Sequence, residues 1–284
     1  MRAAVVQLNS TEDTERNLMV ADSLTRTAVA QGAELVVLPE KWTVLGTAED
    51  QAQGAQTLSG PEAPGLEWAC GLARETGIDL IAGSIVERVQ GQAKCANTSV
   101  HIGPEGEVRA VYRKLHLFDV EVDGVRYAES EHEEPGQEIV LTQLRSGINL
   151  GLTVCYDIRF PELYTALARL GAQLIVVSAS WGSGPGKLEQ WTLLARARAL
   201  DSTSYVAAAG QADRGSAVTS GAPTGVGGSL VVSPFGEVVA GAGAEPQLVV
   251  ADIELDRVRA ARDTIAVLRN QSGLAGLDKA ESRR

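Results

Sequence analysis

Ile148-Asn149-Leu150-Gly151-Leu152-Thr153-Val154-Cys155-Tyr156-Asp157-Ile158-Arg159-Phe160-Pro161-Glu162-Leu163 runs from an apolar stretch into a polar turn and then into the start of a helix. The apolar part predicts a strand over Ile148 to Thr153, and Pro161 sits at a favoured first helical position. A helix from Pro161 to Leu170 is followed by a second apolar run, Gln173 to Ser178, so the segment reads as strand, helix, strand. That unit places the chain in the α/β class.

The same rhythm extends in both directions. Towards the carboxyl end, a helix from Leu188 to Leu200 leads into a strand at Tyr205 to Ala209. Strands at Ser229 to Ser233, Glu237 to Ala240 and Leu248 to Ile253 follow, with Pro234-Phe235-Gly236 as a turn, and then a helix from Leu255 to Leu268. Towards the amino end lie a strand from Arg2 to Leu8, a helix from Glu12 to Gln31 capped by Ser10 or Thr11 and ended by Gly32, and a strand from Glu34 to Leu38. A helix from Leu66 to Glu75 precedes strands at Asp79 to Ala82 and Ser84 to Val89, and Thr98 to Ile102 pairs with Val108 to Arg113 as a hairpin across Gly103-Pro104-Glu105-Gly106. Periodicity lapses from Lys114 to Glu138, which reads as one long functional loop, and Gly210 to Gly228 reads as a surface loop. No composition break divides the chain. One domain is expected over 1–270, with a polar tail over 271–284 that either frays or lies along a partner subunit. Two sheets packed face to face with helices outside would let every strand bury both faces, although the pattern leaves the number of layers open.

Composition narrows the function. An apolar fraction of 44% and a charged fraction of 21% over 284 residues are ordinary for a folded domain. With 25 basic and 36 acidic residues the formal charge of -11 opposes attraction to nucleic acid or anionic lipid. The opening run is too short for a signal sequence, no run spans a bilayer, and Cys70, Cys95 and Cys155 are too few and too widely spaced for a disulfide framework or a zinc site. A reducing cytoplasm is expected.

A lone cysteine ending an apolar strand is usually a small core residue. Cys155 departs from that pattern because a polar turn and a helix start follow it, which exposes the thiol and aims backbone N–H groups outward. Glu40, after Pro39 at the end of the second strand, and Lys114, where a strand becomes a loop, would each read alone as a solvated charge. Together the three stand at the carboxyl ends of predicted strands, where sites on α/β sheets collect.

Leu38-Pro39-Glu40, Tyr112-Arg113-Lys114-Leu115-His116-Leu117-Phe118-Asp119, Cys155-Tyr156-Asp157-Ile158-Arg159-Phe160-Pro161-Glu162-Leu163 and Pro234-Phe235-Gly236-Glu237 stand in one order along the chain. With them the sequence resembles the nitrilase superfamily of carbon-nitrogen hydrolases, from Arg2 to about Asn270. The resemblance implies a four-layer αββα sandwich, commonly a homodimer. It makes Cys155 the nucleophile, Glu40 the general base, and Lys114, with the backbone N–H of Tyr156, the support of the oxyanion. Glu129, in an acidic loop with Glu131, Glu133 and Glu134, matches a further glutamate often counted with this set; the same loop also reads as a solvated charge cluster. The implied reaction hydrolyses a small non-peptide amide to acid and ammonia through a thioester, with no metal or organic cofactor.

Cys155-Tyr156-Asp157 resembles the amidase branches, whereas nitrilases usually show Cys-Trp-Glu there and carbamoylases Cys-Asn-Asp. The nearest likeness is to omega-amidases and deaminated-glutathione amidases, although their usual His-Trp-Glu run is replaced here at Lys187-Leu188-Glu189-Gln190-Trp191, and Asp201-Ser202 lacks their Asn. Arg159 either anchors a substrate carboxylate or pairs with Asp157 or Glu162. Tyr156 and Trp181 are further candidates for the pocket wall. Trp181 to Lys187 is not a phosphate loop: its glycine spacing is wrong, Leu188 stands where a hydroxyl belongs, and Pro185 removes a donor. An aliphatic amidase, an N-carbamoyl hydrolase, a thiol hydrolase using His116 or His132 as base, and a silent binding protein on the same fold remain the alternatives.

Overall fold

The apolar runs fold as strands that alternate with helices. The computed structural model describes residues 1–60, 62–122, 124–213 and 225–270. The first half comprises β1 (Arg2–Gln7), α1 (Thr14–Ala30), β2 (Leu35–Val37), α2 (Ala48–Gln53), α3 (Pro64–Thr76), β3 (Asp79–Ile81), β4 (Ile85–Glu87), β5 (Ala96–Ile102) and β6 (Val108–Arg113). A hairpin follows, β7 (Asp119–Val122) and β8 (Val125–Ala128), and a 3-10 turn over Glu129–Glu131. The second half holds β9 (Leu141–Gln143), β10 (Asn149–Val154), α4 (Pro161–Arg169), β11 (Leu174–Ala179), α5 (Lys187–Ser202) and β12 (Tyr205–Gly210). It ends with β13 (Leu230–Val232), β14 (Val238–Gly241), β15 (Gln247–Asp252), α6 (Leu255–Thr264) and α7 (Val267–Asn270).

Each of the two main sheets has three parallel strands at its heart. In the first, β1, β2 and β3 run parallel, with β15 antiparallel to β1; β5 is antiparallel to β3, β4 and β6. In the second, β10, β11 and β12 run parallel between antiparallel β9 on one side and β13 and β14 on the other. Side chains alternate between faces with period two. Ala3, Val5, Leu35 and Val37 therefore meet Leu150, Leu152, Val154, Leu174 and Val176 between the sheets. The opposite face of the first sheet, with Ala4, Val6 and Val36, packs on Ala21 and Ala28 of α1 and Leu66 and Ala69 of α3. In the second sheet Ile175, Val177, Val206 and Ala208 pack on Leu163 and Leu167 of α4 and Trp191, Ala195 and Ala199 of α5. The layers are therefore α, β, β, α, as the resemblance implied, and burial on both faces explains why these strands carry continuous apolar runs.

The carboxyl edges of the two sheets are joined. Leu8, just beyond β1, bridges Gln211, just beyond β12, and Ser178 Oγ of β11 donates to the Leu38 carbonyl at 2.8 Å. Because β6 runs antiparallel to β5, and β5 antiparallel to β3, the carboxyl end of β6 and the first residues of β5 reach the same edge as the ends of β2 and β10.

The sequence reading is corrected at several places. Asp13, not Ser10 or Thr11, caps α1, accepting from Arg16 N at 3.0 Å, while Ser10 is buried and donates to the Trp42 carbonyl at 2.9 Å. The stretch from Lys114 to Glu138 contains β7, β8 and a 3-10 turn rather than loop alone; alternating Asp119-Val120-Glu121-Val122 and an Asp-Gly pair at 123–124 carry the hairpin signal. Gly210, Gln211, Ala212, Gly225, Gly227 and Gly228 are buried, so the described ends of the supposed surface loop are interior; 214–224 lie outside the described residues, as does the tail 271–284. The final helix stops at Thr264, where Ile265 adopts a non-helical backbone, and resumes as α7.

Candidate active site

Glu40, Lys114, Cys155 and Glu129 come from four separate stretches and meet at the joined carboxyl edges. Pro39 ends the pairing of β2, and the chain turns so that Glu40 points inward with 3% exposure. Its Oε1 accepts from Asn97 Nδ2 at 2.8 Å and Lys114 Nζ at 3.3 Å, and its Oε2 from the Ser180 N–H at 2.6 Å. Lys114, 2% exposed, directly follows β6 and donates to both Glu129 oxygens, at 2.9 and 2.7 Å. Glu129 is fixed further by the Phe118 N–H at 2.7 Å and by Asn97 Nδ2 at 3.2 Å.

Cys155 takes a left-handed backbone, φ 45°, between β10 and a 3-10 turn over Cys155–Arg159. Asp157, fully buried, holds that turn. Its Oδ2 accepts from Val154 N at 2.9 Å and Tyr112 OH at 2.6 Å; its Oδ1 accepts from the His116 N–H at 3.1 Å and lies 2.7 Å from His116 Nδ1. The thiol faces the Glu40 carboxylate and the Ser180 N–H. Tyr156 is second in the turn, so its N–H has no acceptor inside it and is available to an oxyanion.

The electrostatics follow from this enclosure. Burial and the facing Glu40 carboxylate push the Cys155 thiol well above its ordinary value, against the opposing pull of Lys114. Both effects favour the neutral thiol in the resting site. Burial works against the Lys114 charge, but Glu129 and Glu40 outweigh it and hold the ammonium well above its usual pKa. For Glu129 burial is likewise overcome, by Lys114 and Lys41, and its carboxyl lies well below the usual range.

A cavity of about 840 Å³ opens over the cluster. Tyr156, Arg159 and Trp181 all line it. Arg159 pairs with neither Asp157 nor Glu162: its Nη2 donates to Gln190 Oε1 at 2.9 Å and its guanidinium lies 4.9 Å from the Trp181 ring centre, which leaves it without a carboxylate partner among the described residues. His116 is bound to Asp157 and stacked on Phe160 at 3.6 Å. Sequence reading missed Asn97, which bridges Glu40 and Glu129, as well as Ser180, Lys41 and the buried Glu133. A polar Asn and Ser at strand ends beside Glu40 and Cys155 were the only available signal.

Residues 2–263 match the carbon-nitrogen hydrolase family. The chain belongs to that family. A Mycobacterium tuberculosis protein described as a hydrolase is 52% identical over the whole of both chains. A deaminated glutathione amidase of Synechocystis is 35% identical, covering 95% of this chain and 97% of that one, and a human omega-amidase is 37% identical over 95% and 94%. Among solved structures, the Caenorhabditis elegans NitFhit protein superposes with a TM-score of 0.86 at 33% identity, over 95% of this chain and 64% of that one. A Glu-to-Gln variant of a Nesterenkonia amidase, with acrylamide added to its active-site cysteine, gives 0.75 at 28% identity over 94% and 98%. This carbon-nitrogen hydrolase thus has the fold and relatives of an amidase acting on non-peptide C–N bonds.

Proposed function

We propose that the enzyme hydrolyses a small primary amide through a Cys155 thioester, with an omega-amide of a dicarboxylic acid as the preferred class. The observation that carries the reading is the meeting of the Cys155 thiol with Glu40, itself bonded to Lys114, at the floor of the cavity. Cys155 Sγ bonds to the amide carbon while its proton passes to Glu40. The oxygen that becomes negative accepts from Lys114 Nζ and the Tyr156 N–H. Glu40 gives the proton to the departing nitrogen, ammonia leaves, and the thioester remains. Water then attacks, Glu40 takes its proton and returns it to the departing sulfur, and the acid is released with the thiol and the carboxylate restored. Glu129 holds Lys114 in place throughout.

Arg159 supports the substrate class, because its planar fork lies on the cavity wall beside Trp181 with no carboxylate partner among the described residues. Anchoring a carboxylate there would orient the distal amide towards Cys155. Ammonia release is to be measured from glutaramate-like and butyramide-like amides, a nitrile and a carbamoyl amino acid. Cys155→Ala and Cys155→Ser are expected to fold and to release none, and Arg159→Lys to lower kcat/KM for the acidic amide more than for the neutral one. Equal losses on both amides make Arg159 structural and leave an aliphatic amidase; preference for the carbamoyl substrate makes the enzyme a carbamoylase. Turnover by Cys155→Ala sinks the mechanism. The same reading takes the working form as a cytoplasmic homodimer. Leu193 of α5, 66% exposed, and the three unpaired cysteines support it, and the mass in solution tests the assembly.

A further inference from the structure

Beside Glu129 stands a second buried pair. Lys41 Nζ donates to Glu133 Oε1 at 2.6 Å and to Gln51 Oε1 at 2.7 Å, and lies 3.8 Å from Glu129 Oε1. Lys41 is 8% exposed and Glu133 3% exposed. Glu40, Lys114, Glu129, Lys41 and Glu133 thus form one chain in which carboxyl and ammonium groups alternate, with Glu129 between two ammonium groups. Lys41 reaches this position from a left-handed backbone, φ 51°, steadied by its N–H on Ser84 Oγ at 3.0 Å. Such strain in a non-glycine residue persists where the surroundings enforce it, and Cys155, across the same cluster, shares it.

Resting on the reading of Lys114 as the oxyanion's cation, we propose that Lys41 is a positioning residue for amide hydrolysis: it shares the charge of Glu129, leaving the field of Lys114 directed at the reacting oxygen, and Glu133 holds it there. The physical reason is competition. A carboxylate paired at 2.7 Å with Lys114 alone would draw that ammonium and its protons away from Glu40 and the substrate; a second cation beside the same carboxylate offsets the attraction. Two carboxylates and two ammonium groups in Glu40, Lys114, Glu129 and Lys41 balance within a buried cluster, and Glu133 supplies the acceptor that a buried ammonium requires.

The test measures kcat and KM for ammonia release in Lys41→Met, Lys41→Arg and the double variant Lys41→Met/Glu133→Leu. The double variant replaces the buried pair with apolar groups, a change that buried pairs often tolerate, so it reports even if Lys41→Met alone fails to fold. Expected are a fall in kcat of about tenfold or more in the double variant with KM within twofold, and recovery of most of it in Lys41→Arg. A double variant with kcat within twofold of the parent overturns the proposal, as does a raised KM at unchanged kcat, which would make Lys41 a substrate ligand. Cys155→Ala, run alongside, separates the two levels: if it retains turnover the underlying mechanism fails, whereas if it is dead and the double variant is fully active only the role of Lys41 fails.

Discussion

Lys114 is bonded to Glu129 and Glu40 in the resting site, so its place is set before any substrate enters. Removing it in Lys114→Ala is expected to lower kcat on the order of a hundredfold, the usual cost of one oxyanion donor, with a smaller effect on KM. A raised KM with intact kcat would make it a binding group instead. The neutral resting state of Cys155 has its own consequence. Burial and Glu40 hold the thiol well above its ordinary value, so alkylation by iodoacetamide should climb from pH 7 to 9 without levelling. A rate already flat below pH 7 would show a preformed thiolate. Glu40, Lys114 and Cys155 were legible because each sits in a recognisable block at the end of an apolar run; Glu129, inside an acidic loop, was matched only through the family resemblance. Asn97, Lys41 and Glu133 were not, because a buried amide inside Ala96-Asn97-Thr98 and an ion pair between residues 92 positions apart have no local pattern; their roles exist only once β2, β5 and the turn after β8 converge.

The elements that carry these groups depend on close approaches that sequence marks only as glycine. At Gly83, φ 36°, an added Cβ would stand 2.0 Å from the Pro39 carbonyl oxygen and 2.7 Å from that of Leu38, on the segment that delivers Glu40. Gly77, φ 69°, ends α3 with nothing within 4 Å of the same atom. Gly77→Ala is therefore expected to cost about 1 kcal/mol, the backbone penalty alone, with activity kept. Gly83→Ala should cost about 3 kcal/mol or more and lower kcat, since relieving the clash displaces residues 38–40. Urea midpoints and ammonia release check both; equal losses at the two sites would mean that the approach at Gly83 is not what places Glu40. The longest strands and helices were read to within a residue or two because burial on both faces leaves unbroken apolar runs. The short α2 and β9 were missed, each lacking a full period of any pattern, and the hairpin of β7 and β8 was hidden by its acidic residues.

At the scale of the whole molecule, the buried carboxyls at the site make stability depend on pH in two opposite senses. Glu129 lies well below its ordinary value despite burial, through Lys114 and Lys41, so its contribution is present above the unfolded carboxyl pKa and is lost as pH falls towards the folded one. Glu133 goes the other way: burial, reinforced by Glu129 and only partly countered by Lys41, raises its carboxyl to about 7. A group whose folded pKa is raised contributes fully below its unfolded value and loses that contribution as pH climbs through the folded one. Both contributions are therefore largest together close to the ordinary carboxyl value of 4.5, and that of Glu133 falls away from there as pH rises through about 7. The formal charge of -11 at neutrality adds a general repulsion that also grows with pH, so a decline towards pH 8 in the parent would not by itself implicate Glu133. Glu133→Gln separates the two, because it leaves the surface charge in place and removes only the buried titration. Urea unfolding from pH 4.5 to 8 should show the parent losing on the order of 3 kcal/mol more than Glu133→Gln on the alkaline side. Parallel curves for the two proteins would show that Glu133 is already ionised at pH 5, held by Lys41 as an ordinary buried ion pair, and that the alkaline decline belongs to the surface.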